Sequence, residues 1–385
     1  MLIQPLRRLD IVSPHRRLRT NKRPLAGEKG SLMRICYGLV GMTRGHAARA
    51  IAIGQELIDR GHEVLFCTDG DAEELLRARF GEERILRTTT PRYYLKNGRL
   101  SLWRTVVGNR RFLFARRKLA QPILGHVKQW QPDLTISDYE PLMWQVSKEF
   151  GIPHVAVNSQ EFFLSSPLPK GTGLIHRIQV KGGGWIVRRF SPTADLRIVG
   201  KILVEKRPKS EATFVGAILR KELDRLTWEP KGGHFVVYSC PMLKPSLAGI
   251  NQLANREQKR GKVFGVPPSM VEEYDWLDHQ PTSESGFLAA VCQADFAVAT
   301  PGNQFMAETL QLGIPVLMTP TPKQFEQEIN ARMQMMARPD QYAMFHPDAT
   351  IPVPSQDGDR ASDASGRIKT VELIEALLQN RSSPT

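Results

Sequence analysis

The stretch Ala294-Asp-Phe-Ala-Val-Ala-Thr-Pro-Gly-Asn-Gln-Phe-Met-Ala-Glu-Thr-Leu-Gln-Leu-Gly-Ile-Pro-Val-Leu-Met-Thr-Pro-Thr-Pro-Lys-Gln-Phe-Glu-Gln-Glu-Ile-Asn330 decides how the chain is read. Its pattern predicts a strand, a tight Pro301-Gly302 turn, a helix, a second strand, and a polar loop opening another helix. Such a turn leaves unpaired backbone N–H groups at a helix N-terminus, a setting that suits an anion such as a diphosphate. Glu308 follows on the same helix, placed to meet a ribose hydroxyl while the N-terminus holds phosphates. The plainer alternative is an ordinary turn, with Gln324, Glu326 and Gln327 as a solvated helix start. Their combination within one segment favours the binding reading.

Outward from this stretch, short apolar runs alternate with helical periodicity. Met33–Val40 predicts a strand, Gly41–Gly45 a loop, His46–Arg60 a helix ended by Gly61, and His62–Thr68 the next strand. The βαβ pattern recurs at Leu134–Ser137, Glu140–Phe150 and His154–Asn158. It returns at His234–Ser239, Leu247–Lys259, Lys262–Val266, Phe287–Cys292, Phe296–Ala299 and Val316–Thr319. The expected architecture is α/β, with two Rossmann-like domains. Residues 1–31 read as a disordered basic arm, 32–222 as the first domain and 230–347 as the second. The junction falls near Arg220–Lys231, and 348–385 form a loop and a terminal helix. Within the first domain, residues 93–128 mix Trp103, Val107, Phe112, Phe114 and Leu119 with six Arg and Lys residues between 104 and 118. They predict one or two inserted basic amphipathic helices.

Charge is unevenly distributed over the 385 residues, whose net charge is +14. Residues 231–385 hold 13 Lys+Arg against 17 Asp+Glu, whereas residues 1–230 hold 40 against 22. Arg84–Pro132 contains 12 Lys and Arg and no carboxylate. This asymmetry concerns partners, not fold. Helix-turn-helix, RNA-recognition and zinc signatures are lacking, so nucleic acid is not expected. No apolar run approaches the roughly 20 residues of a membrane span, and Met1–Leu32 lacks the apolar region of a secretory signal. Cys36, Cys67, Cys240 and Cys292 lie far apart, as reduced thiols of a cytoplasmic protein do. Neither a metal-ligand cluster nor a Ser–His–Asp or Cys–His arrangement is suggested by spacing.

Two further constellations carry chemistry. In Gly41-Met-Thr-Arg-Gly45-His46-Ala-Ala-Arg49, glycines between strand and helix allow close backbone approach, and His46 sits at a helix N-terminus. It is placed to act as a base on a hydroxyl or to contact a phosphate; the alternative is a tight turn with an exposed His and Arg. In Ile136-Ser-Asp138-Tyr-Glu140-Pro141, an acid at a strand's carboxyl end is placed to serve as a base or to orient one, unless it is simply an N-cap.

Residues 33–68, 132–161, 215–240 and 286–332 together resemble the UDP-sugar-dependent glycosyltransferases of the GT-B fold. Within that group it resembles the lipid-II-forming N-acetylglucosaminyl transferase and its teichoic-acid-type relatives. Gln-Phe-Glu-Gln-Glu-Ile-Asn within 294–330 carries most of it, supported by Gly-His-Ala-Ala-Arg-Ala, Ser-Asp-Tyr-Glu-Pro and Val215-Gly-Ala-Ile-Leu-Arg220. The resemblance implies two Rossmann-like domains facing a central cleft. Pro301, Gly302, Asn303 and Gln304 would line the diphosphate, Glu308 the ribose, and Gln324, Glu326 and Gln327 the transferred sugar. The loop Asp278–Phe287 would cover the uracil, with Phe287 among the donor-binding residues. His46 and Asp138 would carry catalysis, with Gly41, Gly45, Arg49 and Glu140 on the acceptor and phosphate side. The implied reaction moves a hexose, with N-acetylglucosamine one candidate, to a lipid-linked or cell-envelope glycan, with inversion and without metal or cofactor. The basic segment 93–128 adds the expectation of an anionic membrane surface, placing a cytoplasmic protein peripherally at the inner membrane face. Three positions depart from the family pattern. Ser239-Cys-Pro-Met-Leu-Lys-Pro245 replaces a glycine-rich phosphate loop, Thr43 a glycine, and Asn158-Ser-Gln-Glu161 a run that often ends in His. A UDP-sugar epimerase and a non-catalytic nucleotide-sugar binder are the alternative readings.

Overall fold

The computed structural model describes residues 32–42, 44–96, 99–201, 211–238, 246–281, 283–354 and 366–382. The basic arm 1–31, Thr43, Cys240 and the Ser239–Pro245 segment lie outside the described residues. The first half contributes β1 (Arg34–Leu39), β2 (Glu63–Thr68), β3 (Ile85–Arg87), a small hairpin of β4 (Leu95–Lys96) and β5 (Arg99–Leu100), β6 (Leu134–Asp138), β7 (His154–Val157), β8 (Leu196–Gly200) and β9 (Thr213–Gly216). The second contributes β10 (His234–Tyr238), β11 (Arg260–Phe264), β12 (Leu277–His279), β13 (Ala297–Ala299), β14 (Val316–Met318) and β15 (Tyr342–Met344).

Among the described residues the strands form two parallel sheets, ordered β3-β2-β1-β6-β7-β8-β9 and β12-β11-β10-β13-β14-β15, with the hairpin apart. Helices cover both faces of each, as parallel sheets require. β1 shows why: Ile35, Tyr37 and Leu39 enter one apolar layer, and Cys36 enters the opposite one. The first layer is closed by the helix Arg44–Asp59, whose Gly54 leaves the Phe66 ring the space a Cβ would occupy, 2.4 Å from the nearest ring carbon. In the second sheet, Phe235 and Phe296 stack at 4.6 Å on one face while Val236 and Ala297 pack on the other.

Three features were not anticipated from the sequence. Residues 93–128 are not one insertion: after the hairpin come the helices Leu102–Gly108, Arg110–Phe114 and Arg116–Trp130. The last of these buries Ala120, Ile123, Leu124 and Val127 against the first sheet as an ordinary layer helix. A 17-residue helix, Leu174–Phe190, packs beside it, and neither this helix nor β8 had a clean periodic signature. The terminal helix Gly366–Ser382 returns to the first half. Val371 and Ile374 join its core, and Glu375 meets Arg60 at 2.8 Å and His62 at 3.0 Å.

Candidate active site

Each sheet reverses its order once. In the first, β1 has β2 on one side and β6 on the other; in the second, β10 lies between β11 and β13. The crevice at such a reversal, beyond the strands' carboxyl ends, is where open α/β sheets take ligands. The first reversal carries Asp138 at the end of β6 and opens into the helix bearing His46 and Arg49. The second carries Thr300, Pro301 and Gly302 after β13. The two halves meet there: a Cβ at Gly45 would stand 3.5 Å from the Gln304 Cβ, and Gln304 Nε2 donates to the Ile218 carbonyl at 3.2 Å.

Asp138 is completely buried. Arg49 Nε donates to its Oδ2 and Nη2 to its Oδ1, both at 2.7 Å, and Oδ1 lies 2.8 Å from His46 Nδ1. Burial alone would raise the Asp138 carboxyl, but Arg49 and His46 outweigh it and hold it below the usual aspartate value. Nδ1 thus meets an ionised carboxylate oxygen at 2.8 Å and the Arg49 Nη2 donor at 3.0 Å. The tautomer that the carboxylate favours carries its proton on Nδ1 and leaves Nε2 with its lone pair. Tyr139 follows with φ of +56°, unusual for a non-glycine residue and a mark of a constrained site. Its ring stacks on His46, centroids 6.3 Å apart, and packs edge-on against Phe190.

Across the cleft, the helix Asn303–Leu312 begins after Gly302 without a side-chain cap. Its first amides therefore lack intrahelical acceptors, with the positive end of the dipole at Asn303 and Gln304. Pro301 is held from behind by Asn330, whose Nδ2 donates to its carbonyl at 3.2 Å. Glu308 is buried one turn on, with Oε1 accepting from Arg220 Nη2 at 2.9 Å and from Gln304 Nε2 at 3.2 Å. Arg220 also bonds Glu284 at 2.9 Å, tying the junction to the helix Glu284–Gln293. Phe287, half-buried on that helix, packs against Tyr238, Phe264 and Phe305.

The polar trio before and within the helix Phe325–Ala337 divides by task. Gln324 caps the helix, its side-chain oxygen accepting from the Gln327 amide. Gln327 turns inward, and its Oε1 accepts from the Thr321 N–H at 2.7 Å. Glu326 faces the first half instead. Burial raises its carboxyl value, opposed by the nearby charges of His46, Lys201 and Arg49, and Gln160 Nε2 reaches its Oε1 at 3.4 Å.

Lys201 was missed by sequence reasoning. It is buried directly after β8, with Nζ 3.0 Å from the centroid of the Phe162 ring. Burial lowers its ammonium to about 7, against the attraction of Glu326. A lysine immediately beyond an apolar run, at a parallel strand's carboxyl end, is the signal that marks it.

Two acceptor-side assignments need correction. Gly41 does not offer its backbone to a ligand: Asp69 fills the space beside it, with the Asp69 carbonyl 2.2 Å from where a Cβ would stand, and Thr90 Oγ1 accepts from its amide at 2.9 Å. Glu140 is buried and turned into its own helix, accepting from the Leu142 and Met143 amides at 2.7 and 2.9 Å. The short polar run 138–140 therefore splits, one carboxylate turned to His46 and Arg49 and the other capping a helix. Among the described residues, no three His, Cys, Asp or Glu side chains gather as a metal-binding group.

Two facing α/β halves with a charged cleft define the class: a GT-B glycosyltransferase. The model of the family described as Glycosyl transferase family 1 matches residues 33–342, and the chain belongs to that family. A nucleotide-sugar donor and an acceptor follow from that class. The chain is 22% identical over 336 residues to an uncharacterized glycosyltransferase of Methanosarcina acetivorans, covering 78% of this chain and 82% of that protein. Among solved structures it resembles the calicheamicin glycosyltransferase CalG4 (TM-score 0.57, 13% identity, 92% of this chain and 100% of that one). It also resembles SnogD of Streptomyces nogalater (TM-score 0.55, 15% identity, again 92% and 100%).

Proposed function

We propose that the protein transfers a hexose from a UDP-sugar to a lipid-linked or cell-envelope glycan acceptor, with inversion at the anomeric carbon and without a metal. The observation that carries this reading is the His46–Asp138 pair facing the uncapped N-terminus of the helix Asn303–Leu312. In this mechanism His46 Nε2 takes the proton of the acceptor hydroxyl as that oxygen attacks the anomeric carbon, and Asp138 orients and stabilises the imidazolium. The bond from that carbon to the diphosphate breaks in line, through an oxocarbenium-like transition state. Amides at Asn303 and Gln304 meet the charge that develops on the leaving diphosphate, and the dipole adds to them. Glu308, positioned by Arg220 and Gln304, meets the ribose. Glu326 and Lys201 line the cleft where sugar and acceptor come together.

The test is UDP release from UDP-N-acetylglucosamine, UDP-glucose and UDP-galactose, with and without a cell-envelope lipid extract. Acceptor-dependent release supports the reading. Interconversion of UDP-hexoses with no acceptor, or nucleotide binding without turnover on any donor, overturns it.

A further inference from the structure

Two segments of the first half share an unusual surface. Of the twelve large apolar side chains that are exposed among the described residues, eight lie within residues 94–114 and 174–185. Trp103, Phe114, Leu174 and Ile175 are each more than 70% exposed, and Ile178 and Trp185 more than half. On the helix Leu174–Phe190, positions 174, 178, 181 and 185 follow the i, i+4, i+7, i+11 spacing of a single stripe. Val180, Gly184, Val187 and Phe190 form the buried side. The exposed stripe is thus Leu, Ile, Lys and Trp, an apolar face with a cation in it.

The formal charges carried by these two segments have one sign. Residues 84–132 hold 12 Lys and Arg, residues 162–194 hold five more, and neither segment contains an Asp or Glu. Arg104, Arg110, Arg111, Arg177 and Lys181 are exposed. The segments adjoin: Arg189 Nη2 donates to the Leu113 carbonyl at 2.5 Å, and Arg116 Nη1 to the Arg189 carbonyl at 2.7 Å. The carboxylates that do pair with these segments, Glu149 with Arg117, Glu161 with Arg188 and Glu328 with His176, come from outside them and leave Arg104, Arg110, Arg111, Arg177 and Lys181 exposed. Apolar side chains among exposed cations match an interface whose own charge is negative and whose interior is hydrocarbon.

We infer that residues 102–118 and the helix Leu174–Phe190 together form a face that docks onto a bilayer bearing anionic phospholipid headgroups. The aromatic and aliphatic tips enter the headgroup boundary, and the arginines and lysines meet the phosphates. The same helix reaches the cleft. His176 pairs with Glu328 at 3.0 Å, and the Phe325 ring lies 3.3 Å from where a Cβ of Gly183 would stand. Docking would therefore set the cleft beside the membrane plane, where a lipid-linked acceptor presents its glycan. This consequence rests on the acceptor reading proposed above.

Flotation of the full chain with phosphatidylcholine vesicles, with and without phosphatidylglycerol, tests the inference. Recovery with the anionic vesicles, reversed by salt, is expected. Ile178→Ser combined with Trp185→Ser, and separately Arg104→Gln with Arg110→Gln and Arg111→Gln, should each lower recovery about tenfold or more. Circular dichroism melts show whether these variants fold. Equal recovery with neutral and anionic vesicles, or unchanged binding by folded variants, overturns docking. So does a homodimer that the Ser variants dissociate, or retention on nucleic acid in place of vesicles. Calorimetry with UDP separates the two readings. UDP binding without vesicle binding overturns docking alone, whereas vesicle binding without UDP binding overturns the donor assignment and leaves docking standing.

Discussion

Arg49 grips both carboxylate oxygens of Asp138, Nε on one and Nη2 on the other, each at 2.7 Å. Both side chains are buried, so a charge-assisted pair of this geometry is strong as well as directional. The carboxylate is held ionised and shares Oδ1 with His46. It is thereby committed to orienting the imidazole, not to accepting the substrate proton itself.

His46→Ala should lower the transfer rate about 10²–10⁴-fold, the usual contribution of a positioned base, while UDP affinity by calorimetry stays near wild type. Asp138→Asn should lose a similar factor in rate and also melt earlier. It leaves the buried Arg49 charge uncompensated, and breaking a buried pair costs about 3–5 kcal/mol. A His46→Ala enzyme with wild-type turnover would remove the base assignment.

Glu308→Gln keeps the shape of the side chain but removes its charge. UDP affinity should fall about tenfold, and stability by about 1–3 kcal/mol, because Arg220 loses a charged acceptor in a buried setting. Isothermal titration and a thermal melt read the two effects separately. Unchanged UDP affinity would sink the ribose assignment and leave Glu308 a purely structural partner of Arg220.

Lys201→Met should separate stability from activity. Burial lowers the ammonium to about 7, so near neutral pH the folded protein carries a costly charge there. Replacing it with an apolar side chain of similar length should stabilise the protein by about 1–2 kcal/mol. Transfer should nevertheless slow about tenfold, since the group facing Glu326 is gone. Unchanged kinetics would place Lys201 outside the site.

Glu140 gives a pH prediction. Burial lifts its carboxyl to about 7, although the Met143 and Leu142 amides pull the other way. A folded value above the unfolded value of about 4.3 means that the native state binds the proton more tightly. The stabilisation is complete below the unfolded value and is lost as pH rises through about 7. Melting curves of wild type and Glu140→Gln, taken from about pH 4 to about pH 8, should therefore show a difference that shrinks by roughly 3 kcal/mol. A constant difference across that range would contradict it.

Much of the architecture was legible because it rests on local pattern. Parallel strands buried on both faces write themselves as short apolar runs, and Gly61 and Pro301-Gly302 mark the turns between strands and helices. Among the strands that escaped notice, β3, β12 and β15 are three-residue edge pieces and β4 and β5 two-residue ones, too short to express a period; β8 and β9 escaped as well. The helix Leu174–Phe190 escaped for a different reason: its apolar side chains lie on both faces, half of them pointing to solvent.

Residue types and order along the chain were enough to specify two α/β halves, the strand–turn–helix at 294–312, and that Asp138 lies at a strand end. Contacts between distant positions were not specified, because no local pattern records which groups meet across a cleft. Tertiary structure alone decided that Asp138 faces His46 while Glu140, two residues on, caps a helix. It alone turned Gln327 inward and brought Lys201 toward Glu326. Periodicity reports which face of an element is buried. Partner choice among polar groups is settled only when the halves close and each buried charge must find its counterion.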